Sequence, residues 1–229
     1  MRCALLRKVF PWYRKNIFLN DEVFIQSEKI ILREKKIEDA SEDHAWRSDH
    51  ELAGLDASRP LRMSYSEFLR YSREELDLPN SGSKRLAIDT LDGKHIGNCM
   101  YYDIDVRRGE AELGIMIGDR AYWGKGYGTD SVELLLDHMF IAINLRRIYL
   151  HTLEFNQRAR RSFTKSGFRE VKRVRRDGKN FILMQVFRSE WEIRRSAQQT
   201  KSEKSCYLRG SVDRTGSREI GTLQDHPYK

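Results

Sequence analysis

A lysine and three glycines stand directly before a segment whose apolar residues have helical spacing. The stretch YWGKGYGTDS contains Gly124, Lys125, Gly126 and Gly128. Backbone N–H groups at the start of a helix form an anion-binding site, and glycines let a ligand approach the main chain closely. The sequence therefore predicts a phosphate-binding turn, with a plain glycine-rich turn between a strand and a helix as the alternative.

Two common phosphate loops do not fit this stretch. A P-loop requires four residues between its first glycine and a Gly-Lys pair, which Ser or Thr must follow. Here five residues separate Gly118 from Gly124, and Gly126 follows Lys125. The dinucleotide fingerprint requires G-x-G-x-x-G, whereas the turn has G-x-G-x-G. The glycines alone therefore do not identify the ligand.

The positive charge of the chain belongs to its two ends. The 229 residues carry a formal net charge of +8. Residues 1–20 have five basic and no acidic residues, and residues 193–229 have eight basic against four acidic residues. Subtracting +5 and +4 from +8 leaves −1 for residues 21–192. This distribution argues against specific nucleic-acid binding by the core.

Composition also predicts three segments. We expect a basic N-terminal extension over residues 1–24, one folded domain over 25–192, and a basic tail over 193–229. The tail is rich in Ser, Gly, Gln and charged residues, which is typical of disorder. No run of eighteen apolar residues predicts a membrane span, and Arg7 and Lys8 interrupt the only early apolar run. We therefore expect neither export nor a membrane span.

The three cysteines indicate neither a disulfide framework nor a zinc site. Cys3, Cys99 and Cys206 are widely separated and odd in number. Paired spacings are what disulfide-rich domains and cysteine zinc sites require. We expect a cytoplasmic protein without a bound metal.

The period of the apolar residues predicts a mixed α/β chain. KIILREKK resembles a strand, and two helical segments follow it. The pattern then changes to period two in KRLAIDT, KHIGNCMYYDID and EAELGIMIG, which predicts three strands in an antiparallel meander. We call residues 124–128 the glycine turn. After it the sequence predicts a helix over Thr129–Ile143, a strand in RRIYLHTLEF, a helix opened by Asn156, and a hairpin that turns at Asp177-Gly178.

In this order the motifs resemble the GNAT acetyltransferase superfamily, especially its branch similar to ribosomal-protein N-terminal acetyltransferases. The matching features are ILREKKIEDA, AELGIMIGDRAYWGKGYGTDS and LEFNQRARRSFTKSGF, within residues 27–188. In the family signature, two residues separate Gln or Arg from Gly-x-Gly/Ala. Here Gly126 and Gly128 hold the glycine positions, and Trp123 holds the position of the Gln or Arg. The resemblance implies an α/β fold of the α+β type over residues 25–192. Its mixed, mostly antiparallel sheet would be flanked by helices and splayed at an acetyl-CoA cleft.

The resemblance also implies where acetyl-CoA, the acetyl donor, would lie. Its pyrophosphate would meet the backbone of the glycine turn, with charge from Lys125. Its pantetheine arm would pair with the strand at Gly114–Ile117. Asn156 would hydrogen-bond that arm, or act only as a helix N-cap. The expected cofactor-binding residues are Ile115, Met116, Ile117, Trp123, Gly124, Lys125, Gly126, Tyr127, Gly128, Thr129, Asn156 and Phe163.

Glu112 is the candidate catalytic base for the acceptor amine, acting through water. It lies on the strand face opposite Ala111 and Leu113, so we expect it to face the side where the acceptor enters. The alternative is a cross-strand salt bridge to Arg107 or Arg108.

Other polar groups have smaller expected roles. Many relatives carry a tyrosine as general acid in the helix after Asn156, and this chain has Phe163 there. A thiol of pKa about 8.5 leaves tolerably without protonation, so water can replace that acid. We expect His138 to be solvated on the polar side of its helix, and we rank His151 as a minor candidate for substrate contact.

The sequence thus predicts an acetyl-CoA-dependent N-acetyltransferase acting on a primary amine, with a protein N-terminal α-amino group as the first candidate. The alternatives are a small-molecule amine (amino sugar, polyamine or antibiotic) and a catalytically silent acyl-CoA-binding module. Asp49, Glu51 and Asp56 lie between the first two predicted helices, where they would attract a cationic amine or form a solvated loop. The sequence is compatible with a homodimer but does not fix the oligomeric state.

Overall fold

The structure is a computed structural model that describes residues 24–77 and 82–197. The predicted N-terminal extension, apart from Phe24, lies outside these residues, and so does the predicted tail from residue 198 onward. The chain divides into two compact units, the first ending at Arg188 and the second beginning at Ser189. Residues 189–197 of the second unit are helical. None of the described helices is long and apolar enough to cross a lipid bilayer.

An eight-stranded sheet organises the first unit. Its strands are β1 (Phe24–Gln26), β2 (Ile30–Glu34), β3 (Ser83–Thr90), β4 (His95–Asp105), β5 (Glu110–Ile117), β6 (Arg147–Leu153), β7 (Arg169–Arg176) and β8 (Lys179–Phe187). The α-helices are α1 (Ala40–Ser48), α2 (His50–Leu55), α3 (Tyr65–Asp77), α4 (Tyr127–Ile141) and α5 (Gln157–Lys165). The strand order is β1-β2-β3-β4-β5-β6-β8-β7, and only the β5–β6 pair is parallel. The predicted mixed, mostly antiparallel sheet is confirmed.

Helices cover both faces of this sheet. Tyr101 of β4 lies against α4, where its hydroxyl is 3.4 Å from His138 Nε2. Asn98 of the same strand donates from Nδ2 to Asp43 of α1 at 2.7 Å. Side chains an odd number of residues apart on a strand point to opposite faces. We therefore distinguish the α1 face of the sheet from its α4 face.

Strands β5 and β6 diverge part-way along their length. Three pairs join them, of which the last is Glu112↔Tyr149, although β5 continues to Ile117 and β6 to Leu153. The other edge of β5 remains paired with β4 as far as Gly97↔Ile117. Among the described residues, the edge of β5 from Leu113 to Ile117 therefore has no strand beside it. This divergence confirms the predicted splay.

Local signals explain most element boundaries. Ser64 and Glu67 form the start of α3, where the Ser64 N–H donates to Glu67 Oε2 at 2.8 Å, as in a capping box. Asp177 and Gly178 both have positive φ, 48° and 76°, as a type I′ hairpin turn requires. Strand β1 was not predicted, because three residues are too few to show a period of two.

Helix α4 begins at Tyr127, two residues before the predicted start. Gly126, with φ of 90°, is its N-cap. A left-handed glycine at the N-cap lets the helix begin at Tyr127, two residues earlier than the apolar pattern shows.

A network of charged side chains fixes α1 on the sheet. Its members are Arg33, Lys35, Asp39, Asp43, Asp89 and His95. Burial alone would raise the pKa of Asp39, but the hydrogen bond from Arg33 and the charge of Lys35 hold that pKa far below its usual value. Burial opposes the charge of His95, whose pKa is nevertheless raised by hydrogen bonds to Asp43 and Asp89.

Trp46 of α1 connects this charged network to the end of β5. Its ring lies 5.0 Å from the His95 ring and covers Gly118, the residue that follows β5. A Cβ built on Gly118 would stand 2.0 Å from Trp46 Cδ2, so only glycine fits under the indole. The network therefore fixes the point at which the chain leaves β5 for the glycine turn.

Candidate active site

A cavity of about 310 Å3 lies where β5 and β6 diverge, between the glycine turn, α5 and α2. Ten of the twelve predicted cofactor-binding residues line it: Ile115, Met116, Ile117, Trp123, Gly124, Gly126, Gly128, Thr129, Asn156 and Phe163. The other two, Lys125 and Tyr127, are not among its lining residues. Lys125 is exposed, and the Tyr127 ring packs edge-on against Tyr122 at 4.9 Å.

The glycine turn presents backbone N–H groups to this cavity. Gly124 and Gly126 have φ of 72° and 90°, a conformation that favours glycine. The first helical N–H groups, from Tyr127 to Thr129, have no partner within the helix, because the first turn of any helix lacks acceptors for them. Thr129 Oγ1 lies 2.9 Å from Ser162 Oγ of α5 and ties the two helices together beside the turn. This arrangement can hold an anion.

Trp123 stands at the signature position that is usually basic or an amide, and an arginine lies on its ring. Its Nε1 donates to the Ile117 carbonyl at 2.7 Å, so the indole is fixed against the end of β5. The Arg158 Cζ lies 3.3 Å from the Trp123 ring centroid. Burial lowers the pKa of Arg158, but an arginine remains a cation. The stacked pair therefore places a positive charge beside the turn.

Arg158 belongs to a row of cations on α5 that the sequence interpretation missed. Arg158, Arg161 and Lys165 all line the cavity. Their spacing of three and four residues puts them on one face of a helix. That spacing was the available signal, but the sequence could not show that this face meets the glycine turn.

Asn156 and Phe163 line the cavity from α5. Asn156 is the N-cap of this helix, since its Oδ1 accepts from the Ala159 N–H at 3.1 Å; the predicted N-cap role is confirmed. Phe163 is buried and packs edge-on against Phe168, with 5.9 Å between ring centroids. A phenyl ring cannot donate a proton, so a general acid at this position is absent.

Glu112 does not pair with Arg107 or Arg108, and that alternative is wrong. Its Oε1 lies 2.8 Å from His151 Nδ1, and both side chains are less than a tenth exposed. Tyr102, opposite Glu112 on β4, also hydrogen-bonds to this carboxylate, and burial and the charge of Glu112 raise the Tyr102 pKa. Neither Glu112 nor His151 lines the 310 Å3 cavity. Glu112 is therefore a buried carboxylate that pairs with His151.

The expectation that His138 is solvated was wrong. The residue is 6% exposed, and its Nε2 lies 3.4 Å from the Tyr101 hydroxyl. Every residue of α4 from Leu134 to Phe140 is buried, so this part of the helix has no solvent-facing side. The helical pattern suggested such a side because it does not show how much protein surrounds the helix.

The three acidic residues near α2 separate into two groups. Asp49 and Glu51 both pair with Arg120, at 2.8 and 2.7 Å, and do not line the cavity. Asp56 is the only acidic residue among the described residues that line it. The residue is exposed, but the surrounding protein desolvates its carboxylate and raises the Asp56 pKa, against the charges of Arg47 and Lys179.

Comparison with known proteins identifies the family. Residues 29–169 match the family described as "Acetyltransferase (GNAT) domain". The chain belongs to the GNAT acetyltransferase family. An "uncharacterized N-acetyltransferase p20" of Bacillus licheniformis is 30% identical to this GNAT chain over 125 residues, which are 54% of the chain and 70% of that relative. Because the chain belongs to this family and matches a relative named as an N-acetyltransferase, it is an acyltransferase.

Relatives with a named acceptor match shorter parts of the GNAT domain. The "spermine/spermidine N(1)-acetyltransferase" of Bacillus subtilis (strain 168) is 33% identical over 82 residues, 34% of this chain and 54% of that relative. The chain thus spans about half the length of this relative. Acceptor specificity does not follow from a match of that extent.

Solved structures show the same GNAT fold. The spermidine N-acetyltransferase of Vibrio cholerae, in complex with CoA and spermine, has a TM-score of 0.64 and 20% identity, over 72% of this chain and 99% of that one. An aminoglycoside acetyltransferase in complex with coenzyme A has a TM-score of 0.61 and 19% identity, over 71% and 97% of the two chains. At this identity the likeness establishes the fold.

Proposed function

We propose that the chain transfers the acetyl group of acetyl-CoA to the primary amine of a small cationic molecule of the polyamine type. The observation that carries this proposal is the distribution of charge around the cavity. Among the described residues that line it, the three cations, Arg158, Arg161 and Lys165, all come from α5, whereas the one acid, Asp56, follows the C-terminal end of α2. A donor rich in phosphate and a cationic acceptor would need this separation.

The α5 side of the cavity suits acetyl-CoA. The N–H groups at the start of α4 and the α5 cations would hold its pyrophosphate. The edge of β5 from Leu113 to Ile117 has no strand beside it among the described residues, so the peptide-like pantetheine arm would pair there as an added strand. A backbone N–H near Met116 would stabilise the oxyanion of the tetrahedral intermediate.

The α2 side of the cavity suits a cationic acceptor. Asp56 is the one acidic residue among the described residues that line the cavity. Two of the relatives that match this chain are named for spermine or spermidine, and a polyamine carries a second amine that could meet Asp56 while the first reacts. These observations favour a small molecule over a protein N-terminus, our first sequence-based candidate, and over the branch similar to ribosomal-protein acetyltransferases.

An acceptor panel tests this proposal. We expect purified protein to release thiol from acetyl-CoA fastest, in kcat/KM, with spermidine or spermine. An aminoglycoside and two peptides, one with a free N-terminus and one blocked but carrying a lysine, complete the panel. Fastest turnover of the free N-terminus would restore the α-amino acceptor. Binding of CoA with no thiol release from any amine would indicate a silent binding module.

Arg158→Ala should weaken CoA binding about tenfold or more. A hydrogen bond to a charged group contributes roughly 1.5–3 kcal/mol, and 1.4 kcal/mol is a factor of ten in Kd. The difference in Kd between the variant and the wild type should shrink as salt is added, because salt screens the attraction that Arg158 supplies in the wild type. Titration calorimetry at two ionic strengths measures both effects.

Arg175→Ala is the matched control for Arg158→Ala, because Arg175 is an exposed arginine of β7 that does not line the cavity. It should leave the Kd for CoA unchanged. Equal Kd values for the two variants would show that the Arg158–Trp123 pair does not bind phosphate.

A further inference from the structure

We infer that His151 is a catalytic residue that takes a proton from the acceptor amine, and that Glu112 is the residue that positions it. The inference rests on the proposed function, because it concerns the proton that an acceptor amine must lose. A primary alkylamine with an ordinary pKa near 10.4 is almost wholly protonated at neutral pH. Its nitrogen has no free electron pair until that proton is removed.

The register of the sheet places His151 at the divergence of β5 and β6. Glu112↔Tyr149 is the last pair between these strands, and His151 lies two residues further along β6. Alternation of side chains puts Tyr149 and His151 on the face that Glu112 shares. Glu112 is paired with Tyr102 of β4, four residues after Asn98, so this is the α1 face. His151 therefore faces the side of the sheet on which α2 and Asp56 also lie.

The hydrogen bond between the two side chains leaves one ring nitrogen available. His151 Nδ1 is 2.8 Å from Glu112 Oε1, and an ionised carboxylate only accepts, so Nδ1 carries the proton. The neutral ring then has its electron pair on Nε2. Within the described residues Nε2 has no hydrogen-bond partner. Among those residues, Ser48 Oγ is the only fully buried side-chain N or O atom that lacks a partner, so Nε2 is not such an atom. Nε2 is therefore not fully buried, and it keeps some contact with solvent in a side chain that is 8% exposed.

The reacting carbon would lie close to this nitrogen. A pantetheine arm that starts at the glycine turn and follows the open edge of β5 runs from Ile117 toward Leu113, so its thioester end reaches the divergence. Gly114, two residues after Glu112 on the same face, has no side chain to block this route; a Cβ there would already be 3.1 Å from Met100 Cγ. Glu112 and Gly114 are two residues apart on β5, and two residues of a strand span roughly 7 Å.

The proposed step balances as follows. Nε2 of His151 removes one proton from the ammonium group, directly or through one water, and the Glu112 carboxylate stabilises the imidazolium. The amine nitrogen then attacks the thioester carbon, the C–N bond forms and the C–S bond breaks. The second N–H proton passes to the CoA thiolate, and His151 returns its proton to water. Ammonium and acetyl thioester thus give amide, thiol and one proton.

The two tyrosines beside the pair do not titrate near neutral pH, and Glu110, Asp103 and Arg147 are the charged groups near them. Tyr102 hydrogen-bonds to Glu112, and the Tyr149 ring lies edge-on to His151 at 6.0 Å. Burial and the charge of Glu112 raise the pKa of both tyrosines, so both remain neutral phenols. From β8, the residue opposite His151 is Leu183. Asp56, whose pKa burial raises, is the other acid to which the acceptor is proposed to bind, so an acid limb in the pH dependence of the rate is assigned to the Glu112–His151 pair only if it vanishes in His151→Ala.

The test compares His151→Ala, Glu112→Gln and the control His50→Asn, an exposed histidine of α2 outside the cavity. With spermidine as acceptor, His151→Ala should lower kcat about 100-fold, within the range for general base catalysis, while the Kd for CoA stays unchanged. Wild-type kcat/KM should fall on an acid limb and level off above it. In His151→Ala that limb should vanish, and the rate should continue to rise with pH.

Two further readouts separate catalysis from structure. Added imidazole should restore part of the kcat of His151→Ala, which a merely structural histidine would not allow. Glu112→Gln should move the acid limb to lower pH with a smaller loss of kcat, because the imidazolium loses its neighbouring charge. If His151→Ala keeps wild-type turnover and an unchanged pH profile, the role given to the Glu112–His151 pair is wrong, while the proposed function stands. Absence of wild-type thiol release with every amine overturns the proposed function together with it.

Discussion

Gly126→Val is expected to abolish the rise in melting temperature that CoA gives the wild-type protein. Gly126 has φ of 90° at the N-cap of α4, and a β-branched residue is a strong outlier there, costing roughly 1–2 kcal/mol. To relieve that strain the turn must change its φ, and the N–H groups of the first helical turn then no longer converge on one anion. A ligand at 100 times its Kd stabilises a protein by about 2.7 kcal/mol. For a domain of this size that corresponds to roughly 5–10 °C.

Gly93→Val is the matched control for this experiment. Gly93 lies in the turn between β3 and β4 with φ of 86°, and a Cβ there meets nothing within 4 Å. Both variants should therefore lose similar stability without ligand, since the backbone strain is the same. Only Gly126→Val should lose the CoA-dependent shift, which differential scanning fluorimetry measures. A wild-type shift in Gly126→Val would show that the turn does not hold the phosphate.

The periodic parts of the fold were predictable because their signals are local. The change from helical spacing to period two marked β3, β4 and β5, and the Asp177-Gly178 dipeptide marked the β7–β8 hairpin. The same reasoning gave the glycine turn its place between β5 and α4. Strand β1 was missed because Phe24–Gln26 is ordered by pairing with β2 and has no pattern of its own.

The site itself was only partly predictable, because its polar pairs join distant segments. Glu112 was singled out from strand alternation as a carboxylate facing the acceptor side of β5, yet its partner depends on the register of β5 against β6. The helix α4 separates these strands in sequence, and no local pattern fixes that register. The contact that Trp123 makes at the first position of the family signature could not be predicted for the same reason. Only the folded chain shows Arg158 lying on its ring.

Asp56→Lys should lower kcat/KM for spermidine about 100-fold, while a short monoamine should lose far less. Two unit charges interact by about 2 kcal/mol at 8 Å with an effective dielectric constant of 20. Reversing the sign replaces that attraction with repulsion, so a total near 3 kcal/mol, or a factor of roughly 100, is a conservative expectation. The monoamine has no second cation to meet residue 56, so its loss should be confined to weaker electrostatic steering.

Glu51→Lys separates a local effect of Asp56 from the change in net charge. Glu51 is close in sequence and undergoes the same charge reversal, but it pairs with Arg120 and does not line the cavity. Its kcat/KM for spermidine should fall only a few-fold, and both variants should bind CoA normally. Equal losses for spermidine and the monoamine in Asp56→Lys would place residue 56 in folding or donor binding. An unchanged kcat/KM for spermidine would mean that the acceptor enters by another route, since a lysine in its path would repel it.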